Sequence, residues 1–156
     1  MPDVLRASTN PPESCTVLLE TRAPTPKPSS VAVLVVDNEP PIAMVIRRVL
    51  GPGHDITARE DAAEACRLVR EGAEFDVILC DLLMPGMSGE QFYDVLARLA
   101  PHLKKRVVFM SGATTLPDSR AFLGRVGNAV LDKPFTSAAL RDAVRAIVTL
   151  GRGDHA

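Results

Sequence analysis

The sequence predicts a doubly wound α/β domain, with a five-stranded parallel sheet and helices on both faces. Three observations predict it: short apolar runs lacking polar alternation, one-sided helical stripes between them, and regular exchange of the two along the chain. The runs VAVLVV, FDVILC and RVVFM have the continuous apolar character of strands buried on both faces. Weaker strands are predicted at 54–58 (HDITA) and 129–131 (AVL). Between them, Ile42, Val45, Ile46 and Val49 form one helical stripe, Phe92, Val95, Leu96 and Leu99 another, and Leu140, Val144, Ile147 and Val148 a third. A poorer helix is expected over 117–125, opened by Pro117.

The punctuation agrees with this division. Pro40 and Pro41 suit a first helical turn, Asp61 with Glu64 and Ser88 with Gln91 have capping-box spacing, and Gly51 and Gly151 follow expected helix ends. Residues 1–30 hold six of the 13 prolines and read as a disordered tail, whose one apolar patch is TVLLE. The packed domain is expected over 31–150, with a short tail at 151–156.

A formal net charge of -1, from 18 basic and 19 acidic residues, gives no bulk field for holding nucleic acid or an anionic membrane. No apolar run approaches the ~18 residues of a membrane span. The cysteines Cys15, Cys66 and Cys80 are odd in number and lack C-x-x-C spacing, which fits a reducing cytoplasm. His54 and His102 stand singly, a poor pattern for zinc. No Gly-rich phosphate loop follows any strand.

Ligands of open α/β sheets bind outside the carboxyl ends of the strands. The expected strands end in Asp37-Asn38-Glu39, in Asp81, in Ser111-Gly112-Ala113 and in Lys133-Pro134. Each has an ordinary reading alone: helix cap, turn former, turn residue and surface lysine. Their joint placement at successive strand ends is what those readings leave unexplained. Carboxylates crowded at a low-dielectric edge repel unless a cation lies between them. Magnesium suits that role, with Asp37, Asp81 and the backbone carbonyl of Leu83 as oxygen ligands. Lys133 then offers a point charge and Ser111 a donor to a phosphoryl group carried as an acyl phosphate.

The segments VLVVDNEP, DVILCDLLMPGMSG, VVFMSGA and LDKPF resemble, in order, the four signature regions of the response-regulator receiver family of two-component signalling. The wording VVFMSGATT and FLGRVGNAVLDKPF is most similar to receivers at the C-terminal ends of bacterial hybrid sensor kinases. The resemblance implies strand order 2-1-3-4-5 and phosphorylation of Asp81, with Asp37 helping to hold Mg²⁺, or Mn²⁺ in its place. It also implies that Ser111 and Lys133 contact the phosphoryl group and that the bond before Pro134 is cis. The implied partners are a histidine kinase or histidine phosphotransfer protein, with no direct nucleic acid or membrane contact and room for a homodimer through the last helices. The chain would be no enzyme beyond its own phosphoryl transfer and dephosphorylation.

This sequence departs from the family at two places. Asn38 stands where a second metal-binding aspartate is usual, so that Asn38 or Glu39 must complete the metal site. Val130 stands where an inward-turning aromatic switch residue is frequent, leaving Ser111 and Val130 as the switch pair. These departures motivate a competing reading, a degenerate receiver that binds its partner without phosphorylation. A hydrolase on the same scaffold would need a general base near Asp81, and the sequence offers none.

Overall fold

The computed structural model describes residues 30–112 and 116–153. The element order is β1 (Val31–Val36), α1 (Pro40–Leu50), β2 (His54–Arg59), α2 (Ala62–Arg70), β3 (Val77–Asp81), α3 (Gly89–Leu99), a 3₁₀ turn (Pro101–Arg106), β4 (Val107–Ser111), α4 (Pro117–Val126), β5 (Val130–Asp132) and α5 (Ser137–Gly153). All sheet pairings are parallel, in the order β2-β1-β3-β4-β5. The predicted fold class and strand order are therefore observed. The expected disorder of 1–30 concerns residues outside those described, Ser30 excepted.

Alternation along each strand assigns its side chains to two cores. Leu34, Val36, Ile78, Cys80, Val107 and Phe109 face α2, α3 and α4. Val33, Val35, Val77, Leu79, Val108, Met110 and Leu131 face α1 and α5. Three rings, Tyr93, Phe109 and Phe122, meet at centroid distances of 5.4–5.7 Å and lock α3 and α4 onto β4. At ~1.5–3 kcal/mol per buried large apolar side chain, these two layers dominate the stability of the sheet.

Helix signals were right in kind and wrong in detail. Ser88 and Gln91 form the expected reciprocal capping box, whereas Asp61 caps α2 by accepting from Ala63 N–H. In α1 the buried face is Ala43, Ile46 and Leu50, and Val45 is 46% exposed. Apolar residues there exceed what one face can cover, so side-chain type alone misplaced the stripe by one position. Gly151 does not end the last helix, which runs to Gly153. Glycine near a helix end costs only ~1 kcal/mol, and packing of Val144 and Ile147 just before it outweighs that. The 3₁₀ turn had no sequence forecast; it lies where Pro101 starts a new turn and buries Leu103. Among the described residues no helix is long and apolar enough to cross a membrane.

Candidate functional site

The parallel register brings the strand ends into one line. Leu82 N–H donates to the Met110 carbonyl at 3.1 Å, Lys133 N–H to the Ser111 carbonyl at 2.7 Å, and Asp37 N–H to the Arg59 carbonyl at 3.1 Å. Sheet hydrogen bonding thus continues one residue beyond the strands and fixes the backbones of the polar residues that follow them. The peptide bond between Lys133 and Pro134 is cis.

Lys133 lies at the centre of the arrangement. Its Nζ donates to Asp37 Oδ2 at 2.8 Å and lies 3.4 Å from Asp81 Oδ2. Both acids are buried, Asp37 at 3% exposure and Asp81 at 5%. Burial and the neighbouring Asp37 charge push the Asp81 carboxyl above the usual range, against the lowering effect of Lys133 and of the Leu83 N–H. Burial pulls Lys133 down, but its hydrogen bond to Asp37 and the two negative charges prevail and raise it. Both shifts describe the same imbalance, in which one ammonium serves two buried carboxylates.

Glu39 adds a third. One oxygen from each of Asp37, Glu39 and Asp81 lies within 4.8 Å of the others, a hard-oxygen donor set of the kind a divalent cation takes. Glu39 is held there because its backbone N–H donates to Asp37 Oδ1 at 2.9 Å. Asn38 and Glu39 are both exposed, and the Glu39 carboxylate lies in the acidic group. Leu83 is 40% exposed and its N–H donates to Asp81 Oδ1 at 3.4 Å. Ser111, 7% exposed, is the last residue of β4, and Val130, 41% exposed, is the first of β5. Ala113 lies outside the described residues.

Two features of the site escaped the sequence reading. Gly89 opens α3 directly against the strand end: a Cβ there would strike the Asp81 carbonyl oxygen and lie 2.9 Å from Leu82 Cα. The second glycine of MPGMSG was the available signal, since Gly86 alone supplies the positive φ of the turn. Met84 is 9% exposed in the core, and Met87 packs against that core beside Cys66. The loop curls back over α2, so its methionines fill apolar space.

An open parallel sheet whose carboxyl rim gathers buried acids, a hydroxyl and a lysine defines the receiver class of signalling domain. The sequence profile of the response regulator receiver domain matches residues 33–145, and the chain belongs to that family. It is 29% identical over 125 residues to the transcriptional regulatory protein TcrA of Mycobacterium tuberculosis, covering 79% of this chain and 48% of that protein. To the DNA-binding response regulator MtrA of Mycolicibacterium smegmatis it is 33% identical over 115 residues, 73% of this chain and 49% of that one. The solved receiver domain of the Francisella response regulator 1452 superposes with a TM-score of 0.65 at 26% identity, over 78% of this chain and 99% of that one. The chain thus spans about half the length of these curated relatives.

Proposed function

We propose that the chain accepts a phosphoryl group on Asp81 from a phosphohistidine donor, a histidine kinase or a histidine phosphotransfer protein. One observation carries this reading: a single lysine shared by two buried carboxylates, 2.8 Å from Asp37 and 3.4 Å from Asp81. A purely structural ion pair needs one acid, and a second buried beside it raises the energy of the fold. Such unresolved charge is characteristic of a site built for a ligand that completes it.

In this reading an Asp81 carboxylate oxygen attacks phosphorus while the bond from phosphorus to the donor imidazole breaks and its electron pair stays on nitrogen. Lys133 neutralises a phosphoryl oxygen, and Ser111, at the end of the adjacent strand, donates to another. Asp37, Asp81 and Glu39, with the Leu83 carbonyl, would hold Mg²⁺ or Mn²⁺, which supplies positive charge against the transferring group. Glu39 takes the place left by Asn38, and this favours the phosphoacceptor over a module that works without phosphorylation. The protein works in the cytoplasm and signals by protein contact, including pairing of two copies through the last helices, with Ser111 and Val130 reporting the phosphorylated state. Its chemistry extends no further than gaining and losing its own phosphoryl group.

Incubation with Mg²⁺ and acetyl phosphate, followed by intact-mass measurement, tests the proposal. Wild type should gain one phosphoryl group and Asp81→Asn none. An unmodified wild type would favour the phosphorylation-independent module.

A further inference from the structure

At the opposite rim, where the parallel strands begin, the molecule carries a groove that phosphoryl chemistry does not use. A cavity of about 810 Å³ opens between the 3₁₀ turn, the loop entering β5 and the last turns of α5. Its walls include Val126, Ala146, Ile147 and Leu150, and Leu150 is 66% exposed. A leucine this open in the wall of a groove is suited to burial under a second apolar segment.

The edges of the groove are basic. His102 and Arg106 lie against Glu74, at 2.9 and 4.0 Å, while Lys105 is exposed and forms no salt bridge among the described residues. A neighbouring cavity of about 220 Å³ shares Arg106 and Gly151 with the groove and adds Arg152. Ser30 lines this second cavity, so the chain enters β1 beside the groove.

The sequence that precedes Ser30 contains a segment of matching character. Cys15, Val17, Leu18 and Leu19 form its apolar run, with Glu13 and Glu20 at the two ends and no basic residue between them. Residues 21–29 join Glu20 to Ser30; at ~3.1 Å per residue in the extended form that Pro24, Pro26 and Pro28 favour, they reach roughly 28 Å. The two cavities adjoin, sharing Arg106 and Gly151. An acid-flanked apolar run complements an apolar groove whose edge carries the exposed Lys105, with Arg152 in the adjoining cavity.

We propose that the Glu13–Glu20 segment docks in this groove of its own chain, with Val17, Leu18 and Leu19 covering Leu150 and Ala146 and the glutamates facing Lys105 and Arg152. The tether raises the local concentration of the segment to roughly millimolar, so modest contacts suffice. The site lies on the rim away from Asp81 and stands independently of the phosphoacceptor reading.

A nitroxide attached at Cys15 of the full chain tests this, since Cys66 and Cys80 are buried and peptide mapping verifies the labelled residue. The amide signals of Lys105, Ala129, Ala146 and Leu150 should broaden far more than those of Asn38 and Leu83 at the other rim. The double substitution Leu18→Asp and Leu19→Asp should abolish that contrast. Even broadening of both rims would overturn the proposal, as would a contrast that survives the double substitution. Broadening that passes to spin-free, isotope-labelled copies mixed into the sample would assign the groove to a second copy and overturn it equally.

Discussion

At the carboxyl rim the sheet gathers Asp37, Glu39 and Asp81, two of them sharing one lysine, whereas at the amino rim Asn128 and Asp76 meet neutral partners and, among the described residues, His54 Nδ1 is the one buried side-chain polar atom without a partner. There Asn128 Nδ2 donates to the carbonyls of Lys104 and Val107 at 2.8 and 2.9 Å, and its Oδ1 accepts from the Tyr93 hydroxyl at 3.3 Å. The Asp76 carboxylate accepts from the Ala32 N–H at 2.8 Å. The same strands run from one rim to the other, so the contrast is not imposed by the fold. It teaches that satisfied polar networks anchor the loops at one end, while charge left in conflict at the other marks where a ligand belongs.

The largest way to break the comparison is Lys133→Met. Removing the one cation leaves two buried carboxylates facing each other, and about 3 kcal/mol of stability should be lost in metal-free buffer. Urea unfolding with and without Mg²⁺ checks this, and the deficit should shrink when the ion is present. Gly89→Ala should cost nearly as much, about 2–3 kcal/mol, because its methyl meets strand backbone beneath Asp81. The control is Gly127→Ala at the amino rim, where φ is +71° and an added Cβ would meet no packed neighbour within 4 Å. Its cost is only the left-handed backbone, about 1–2 kcal/mol.

Asn128→Ala tests the satisfied rim. Leaving two carbonyls and a hydroxyl without their partner should cost about 2 kcal/mol and leave phosphoryl uptake unchanged, as measured by unfolding and intact mass on the same sample. The smallest effect concerns pH. Because the native Asp81 carboxyl is raised, the folded state binds its proton more tightly than the unfolded chain. Its contribution to stability therefore falls as pH rises from the ordinary carboxylate value through the raised native one. In metal-free buffer Asp81→Asn should lack that fall and be the more stable protein at neutral pH, by a margin that closes in acid.

Much of this was legible from residue order. Continuous apolar runs identified β1, β3 and β4, and the strand-end rule then gave Asp37, Asp81, Ser111 and Lys133 a common edge before any coordinates. What escaped depends on contacts that no local pattern encodes. The meeting of Glu39 with the two aspartates depends on a backbone hydrogen bond to Asp37 that closes the loop, a contact that residue types alone do not reveal. Gly89 matters through a close approach across eight residues, and Met84 is buried because its loop folds back over α2. Val45 was misassigned because an over-apolar helix leaves its buried face undetermined until it meets the sheet.

The most direct measurement is the position of the acyl phosphate. After phosphorylation with a small-molecule donor, borohydride reduction marks the modified carboxyl, and tandem mass spectrometry of the peptides locates it. The account predicts a single mark at residue 81. A mark at Asp37 or Glu39 with residue 81 unmodified would contradict it.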